Sequence, residues 1–162
     1  ETYVRAKTME AIEATHKKVD TALKAGGDAV GAQTVIATMP GQLPLACNNR
    51  LNELFVTNAK IAEPNVAVKD AGHFSASTDM GDVSHLLPVI HPFIGGVDGF
   101  LHTADFHVVD FKHAVLLPAK AFAMMIIDLL ADDAELARQI KAEHHPLLTK
   151  EEYIAKLDKY FQ

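Results

Sequence analysis

The sequence predicts an α/β fold with a break near residue 45. Two observations support this fold class: short β-type runs alternate with helical periodicity along the chain, and apolar material is ample for a core, at 49% of 162 residues. A third observation locates the break, since a Pro- and Asn-containing segment at 42–49 separates a first α/β unit from the rest.

The first forty residues predict a β-α-β unit. Residues 2–6 form a short β-type run, and a helical period then begins at Thr8, a suitable N-cap. Gly26-Gly27 predicts the end or a weak point of this helix, and residues 34–39 predict a second strand ended by Pro40-Gly41. The apolar face of the helix comprises Met9, Ile12, His16, Val19 and Leu23.

The remaining elements follow from the same periodicities. A helix with Asn49 as its N-cap is predicted first, and a long apolar helix from Asp110 to about Ala131 follows later. Two shorter helices come after it, one marked by Leu136 and Ile140 and the last opened by a Thr149–Glu152 capping box. The apolar run 114–130 is interrupted by polar residues, so we expect a buried helix rather than a membrane span. Strands are predicted at 66–68 and 88–94, and loops at 70–85 and 95–105.

Composition excludes several classes of partner. The chain has 15 basic and 21 acidic residues, a formal charge of −6 and no basic run, which argues against nucleic acid or an acidic membrane surface. Cys47 is the single cysteine, so an internal disulfide framework is excluded and a reducing compartment is favoured. The first residues do not resemble a signal peptide. We therefore expect a cytoplasmic protein.

Nine histidines raise the question of a metal site. Most have simpler interpretations: His16 lies on a helix face, and His144-His145 end a helix. In the middle of the chain, histidines lie close in sequence to carboxylates, as a metal ligand and its supporting partner would. These pairs are His73 with Asp79, His85 with Asp82, and His102 with Asp105. The chain has no His-Glu-x-x-His or paired-Cys motif, so it does not predict a complete metal site.

Two runs of this middle region resemble one enzyme family. They are Ser77-Thr78-Asp79-Met80-Gly81-Asp82-Val83-Ser84-His85-Leu86-Leu87-Pro88 and Leu101-His102-Thr103-Ala104-Asp105-Phe106. Both are similar to the C-terminal catalytic half of co-catalytic metallo-amidohydrolases, a family that includes aminoacylases, aminobenzoyl-glutamate hydrolase and related dipeptidases. The strand and helix that begin at Tyr3 resemble the second half of the lid, or dimerisation, domain inserted in those enzymes.

The resemblance implies roles for individual residues. His102, in its His-Thr-x-x-Phe pattern, corresponds to the last metal ligand. Ser77, Thr78 and Asp79 correspond to a loop that contacts the substrate near the scissile amide or its carboxylate, and Arg5 to a lid arginine that contacts the substrate carboxylate. The other ligands and the general-base glutamate of the family have no counterpart here, so no catalytic residue is expected in this chain.

The resemblance also implies an organisation and an activity. Residues 1–45 would be the C-terminal part of the lid, and residues 46–162 the back half of a two-metal, aminopeptidase-like catalytic domain. The intact enzyme would use two divalent ions, zinc or manganese, to cleave an N-acyl amino acid, aminobenzoyl-glutamate or a dipeptide. Its partners would be the missing N-terminal half and a second copy bound through the lid. We expect the fragment alone to bind metal weakly and to be inactive.

Two further interpretations come from other functional classes. The chain could be a non-catalytic interaction module that dimerises through an edge of its β-α-β sheet. It could also be a small independent metal-binding protein, although its histidines are not grouped as a closed site. Finding a His-x-Asp strand end and a Glu-Glu pair upstream in the reading frame would favour the enzyme.

Overall fold

The computed structural model describes residues 1–70, 72 and 76–159 and is mainly helical. His73, which the sequence paired with Asp79, lies outside these residues. The helices and strands are α1 (Met9–Ala29), α2 (Asn49–Ala62), α3 (Met80–Ser84), β1 (Val97–Asp98), β2 (His107–Val108), α4 (Leu117–Glu143) and α5 (Lys150–Asp158). A π-helical turn, Lys112–Leu116, leads directly into α4.

Helix α1 begins where the sequence predicted and ends slightly later. The Thr8 hydroxyl accepts a hydrogen bond from the Ala11 amide at 3.3 Å, as an N-cap should. The helix continues through Gly26-Gly27 to Ala29, and Gly31 follows in the left-handed conformation at φ 71°. Gly27 is required by close packing, because a Cβ there would collide with the Thr34 hydroxyl.

The predicted strands at 2–6, 34–39, 66–68 and 88–94 do not form, although all of these residues are described. Residues 1–40 therefore contain α1 without the flanking strands of the predicted β-α-β unit. The physical reason is the absence of partners: a β-type run becomes a strand only when a neighbour satisfies its backbone groups, and these runs find none within the described residues.

The one sheet of the described residues is a two-stranded hairpin. Its first strand lies within the predicted loop 95–105, and its second strand lies just after that loop. Strands β1 and β2 are antiparallel, with Val97 opposite Val108 and Asp98 opposite His107. The Gly96 carbonyl accepts hydrogen bonds from the amides of Val109 and Asp110, both at 3.0 Å, and so closes the base of the hairpin. Gly96 has φ 91° and lies so close to Asp110 that a Cβ would be 2.7 Å from its carbonyl oxygen.

The chain divides into two compact units. Unit 1 comprises Glu1–Ala46, Ala71–Leu87 and Pro146–Gln162, and unit 2 comprises Cys47–Asp70 and Pro88–His145. The first boundary falls beside the predicted break, but two later segments of the chain belong to unit 1. The assignment of 1–45 to a lid and 46–162 to a catalytic domain stays a prediction.

The core of unit 2 is formed by α2 and α4. Leu51, Phe55 and Ala59 of α2 pack with Ala121, Met125 and Ile140 of α4, all of them buried. The rings of Phe55 and Phe122 lie 4.9 Å apart, centroid to centroid, in a tilted arrangement. Asn48 caps α2 by accepting the Leu51 amide at 3.1 Å, one residue before the predicted cap Asn49.

Helix α4 is not the buried helix that the sequence predicted. One face packs on α2, but Ile126, Ile127 and Leu130 are more than half exposed, at 55%, 67% and 63%. Residues 112–143 are long and apolar enough to cross a membrane by length and composition, and only 17% of their most apolar stretch is buried. The same length and composition also suit a helix whose second face is covered by protein.

A break divides α4 where the sequence predicted the end of the long helix. Asp132, Asp133 and Ala134 all have positive φ, between 48° and 59°. Residues with a Cβ rarely adopt this conformation, and three in succession cannot continue a right-handed helix. Two helical segments therefore meet near Ala131, and the second carries Leu136 and Ile140 as predicted.

Candidate functional site

The predicted substrate loop, residues 77–79, leads into α3 in unit 1. The Thr78 carbonyl accepts the Gly81 amide at 2.8 Å, and the Asp79 carbonyl accepts the Asp82 amide at 3.1 Å. The Thr78 hydroxyl accepts the Met80 amide at 3.4 Å. Ser77 and Asp79 are exposed, and neither side chain forms a hydrogen bond within the described residues. Their polar atoms are therefore free to contact a ligand.

The C-terminal end of α3 is fastened to residues 43–46, hereafter the 43–46 segment. Ser84 is 1% exposed, and its hydroxyl accepts the Ala46 amide at 3.0 Å while donating to the Gly81 carbonyl at 2.5 Å. His85 is 6% exposed, and its Nε2 lies 2.9 Å from the Pro44 carbonyl oxygen. A carbonyl can only accept, so Nε2 carries the proton in this contact. His85 therefore anchors α3 to the 43–46 segment through Nε2, and this nitrogen is not available to a metal ion.

Asp82 has a different partner from the predicted one. Its carboxylate accepts a hydrogen bond from the Tyr153 hydroxyl of α5 at 3.3 Å. Burial, together with the charge and hydrogen bond of Asp82, raises the pKa of Tyr153 above its ordinary value. The pair thus links α3 to α5 within unit 1.

His102 occupies an exposed turn between β1 and β2 in unit 2. Its backbone is left-handed, with φ 66°, which is uncommon for a residue with a side chain. The surrounding turn is held by Thr103, whose hydroxyl donates to the Phe100 carbonyl at 2.6 Å and contacts the Asp105 carboxylate. The His102 imidazole itself has no hydrogen bond within the described part of the chain. It lies in a loop, as predicted.

Arg5 is exposed in unit 1 and contacts the ring of Tyr3, with Cζ 5.2 Å from the ring centroid. The Tyr3 hydroxyl in turn donates to Glu1 at 2.5 Å, and this hydrogen bond raises the pKa of Tyr3 above its ordinary value. No hydrogen bond or ion pair joins Arg5 to the 77–79 loop within the described residues. Arg5 and the loop belong to unit 1, and His102 to unit 2.

One histidine–carboxylate pair, Asp110 with His113, is not among the pairs that the sequence suggested. Asp110 accepts the His113 amide at 3.1 Å and lies 2.7 Å from His113 Nδ1. The hydrogen bond from the His113 backbone amide, and to a lesser extent the contact with its ring, hold the pKa of Asp110 below its ordinary value. The signal was present as an Asp-x-x-His spacing at the start of a helical run, where an Asp side chain caps.

The donors do not by themselves fit a metal ion. Within residues 1–70, 72 and 76–159, no three side chains of the His, Cys, Asp or Glu type come together as a metal site would require. His102 offers a single free imidazole. A metal at His102 would therefore need ligands from outside the described residues.

Comparison with known proteins gives an informative match. The chain is 30% identical over 142 residues to Xaa-Arg dipeptidase of Mus musculus. This similarity relates the chain to a peptidase. The match covers 83% of the chain, so it spans the middle region that holds the 77–79 loop and His102, but the chain covers only 33% of that dipeptidase. No family model and no solved structure matches the chain.

Proposed function

We propose that this chain is the C-terminal part of a metal-dependent amidohydrolase that cleaves a dipeptide or another N-acyl amino acid. The observation that carries the proposal is the 30% identity to a dipeptidase over most of the chain. Because the chain spans a third of that relative, the remaining ligands and the general base would come from the rest of the parent protein. Cytoplasmic location and pairing through the lid belong to the same proposal.

The roles proposed for individual side chains agree with their surroundings. Ser77, Asp79 and Arg5 are exposed polar groups without competing hydrogen bonds in the described residues, as substrate contacts should be before substrate arrives. His102 lies in a left-handed turn, and among the residues that the structure describes neither of its ring nitrogens forms a hydrogen bond. When bound, two divalent ions would supply an activated water and polarise the scissile carbonyl. In that setting this chain would hold the substrate and contribute one ligand.

A dipeptide is the preferred substrate class because the matched relative is named for cleaving Xaa-Arg dipeptides. The experiment is hydrolysis by the full-length parent protein, loaded with zinc or manganese, of three substrates: an Xaa-Arg dipeptide, an N-acyl amino acid and aminobenzoyl-glutamate. We expect turnover of the dipeptide that is lost on chelation. A parent protein that hydrolyses none of the three with either metal would contradict the proposal.

A non-catalytic interaction module is the second candidate. It is favoured by the apolar side chains that α4 exposes, since large apolar surfaces are usually covered by protein. The form of this idea that the sequence suggested, dimerisation through a sheet edge in residues 1–40, has no strand to support it. If the parent protein fails the hydrolysis assay but the chain associates through α4, this candidate replaces the enzyme.

A further inference from the structure

Helix α3 is too short to be stable without contacts to other parts of the chain. It has five residues, and a helix of that length has too few internal hydrogen bonds to be stable alone in water. Its N-cap residue, Asp79, makes no side-chain capping bond. The position of α3 in unit 1, and of the 77–79 loop joined to it, therefore depends on contacts with other segments.

Those contacts concentrate on two adjacent residues at the far end of α3. Ser84 and His85 are both buried and bond to the backbone of the 43–46 segment, at Ala46 and Pro44. The His85 carbonyl also accepts the Leu148 amide at 3.0 Å. This bond connects the residues just before α5 to the same end of α3. We call these contacts of Ser84 and His85 the α3 clamp.

Helix α3 packs tightly against the 43–46 segment. A Cβ on Gly81 would collide with the Leu43 carbonyl, so α3 and the 43–46 segment meet there without space for a side chain. Ser84 bonds both to that segment and back to the Gly81 carbonyl. The Gly81 amide in turn bonds to the Thr78 carbonyl. A continuous path of hydrogen bonds thus runs from the 43–46 segment to the loop.

We propose that Ser84 and His85 are positioning residues that fix where the 77–79 loop meets the carboxylate end of the substrate, an inference that rests on the proposed function. Both side chains bond to backbone groups outside the 77–79 loop. They act through α3, because a loop that contacts substrate must be held by a supporting shell to be effective. The sequence suggested His85 as a possible metal ligand, whereas in this proposal His85 anchors α3 to the backbone of the 43–46 segment.

The test uses the full-length parent enzyme and two matched substrates, a dipeptide and the same dipeptide with its C-terminal carboxylate converted to a carboxamide. His85→Leu removes the hydrogen bond to Pro44, whereas His85→Gln keeps an N–H at similar reach. We expect His85→Leu to raise KM for the free-carboxylate dipeptide about tenfold, the loss of one buried hydrogen bond, with kcat little changed. KM for the carboxamide should change much less, and His85→Gln should restore the wild-type values.

Ser84→Ala is a smaller change and should also raise KM for the free-carboxylate dipeptide more than KM for the carboxamide. This variant decides the question if His85→Leu lowers the yield of folded protein. His16→Leu, a change of half-exposed histidine in α1 of the same unit, is the control and should leave both KM values unchanged. An unchanged KM in His85→Leu and Ser84→Ala, or an equal loss on both substrates, overturns the positioning role alone. A wild-type parent enzyme that cleaves neither substrate overturns the proposed function and this inference with it.

Discussion

At the scale of single residues, His102 combines an unusual backbone conformation with a side chain that forms no hydrogen bond to the described part of the chain. A left-handed residue with a Cβ costs on the order of 1 kcal/mol relative to glycine, and such strain is often found at functional sites. We expect His102→Gly to leave the chain as stable as wild type or more so, by about 1 kcal/mol in urea unfolding. In the parent enzyme the same change should abolish hydrolysis and reduce zinc binding measured by calorimetry.

His107→Gly, an exposed histidine of β2, serves as the control. It should weaken the hairpin without affecting zinc binding. If His102→Gly retains the hydrolysis and metal content of wild type, His102 is not the ligand. Tight, stoichiometric zinc binding by the isolated chain with turnover lost in His102→Ala would show instead that the chain is a complete enzyme.

Asn58 is the polar residue on which the core of unit 2 depends. It is 2% exposed, and its Nδ2 donates to the Asp128 carboxylate at 2.7 Å and to the Leu54 carbonyl at 3.1 Å. Asn58→Ala should lower the free energy of unfolding by about 1–3 kcal/mol, because it removes a part-buried, charge-assisted bond between α2 and α4 and leaves the space of a buried side chain empty. Urea unfolding followed by circular dichroism measures this.

The neighbouring Thr57→Ala is the matched control, since Thr57 is exposed and bonds only within its own helix. Its effect should stay within about 0.5 kcal/mol. Equal stability of Asn58→Ala and wild type would mean that the Asn58–Asp128 contact contributes nothing to the packing of α2 on α4.

The residues of the candidate site were only partly predictable. The sequence placed Ser77, Asp79 and His102 in loops, and the structure agrees. It could not distinguish His85, a buried anchor, from His102, a free imidazole, because sequence proximity to a carboxylate does not reveal which backbone carbonyl a ring nitrogen will meet. The contact of His85 with Pro44 joins residues far apart in the chain, and no local pattern encodes it.

At the scale of elements, helices were predicted better than strands. The N-caps Thr8 and Thr149 were identified from the sequence, because a cap is a local hydrogen bond between neighbouring residues. The predicted strands failed for the opposite reason, since a strand is stabilised by a partner that can lie anywhere in the chain or outside it. Residues 88–94 are β-type in pattern and still find no strand partner in the described residues.

Helix α5 offers a test of pH dependence at this scale. Glu152 accepts the Thr149 amide at 2.7 Å and its own amide donates to the Thr149 hydroxyl at 3.2 Å. The hydrogen bond from the Thr149 backbone amide, and to a lesser extent the one with the Thr149 side chain, hold the pKa of Glu152 below its ordinary value of 4.5. Because the folded pKa is the lower one, the box stabilises α5 above the ordinary pKa and loses its effect as the pH falls through the folded pKa.

We therefore expect the amides of α5 to exchange faster with solvent as the pH falls from about 6 to about 3, after correction for intrinsic exchange. Glu152→Gln should remove most of that dependence. Glu151→Gln, one residue earlier in the same turn, should leave it in place. The expectation fails if wild type and Glu152→Gln show the same acid response.

At the scale of the whole molecule, the described residues expose many large apolar side chains. Apolar side chains of α4 face outward beside a core limited to α2 and part of α4. Large exposed apolar patches on soluble proteins usually mark contact surfaces. The same chain spans a third of its dipeptidase relative. If the chain is part of a longer parent protein, as proposed, we expect the remainder of that protein to cover α4.

The isolated chain should consequently self-associate through α4. Ile126, Ile127 and Leu130 are the most exposed apolar residues of its helical face, and replacing all three by Glu should convert oligomers to monomers in sedimentation velocity. Leu147→Glu changes an equally exposed leucine of unit 1 and should leave association unchanged. A wild-type chain that sediments as a monomer at concentrations of about 100 μM would show that the exposed face of α4 is tolerated in water, and would remove the argument that it requires a partner.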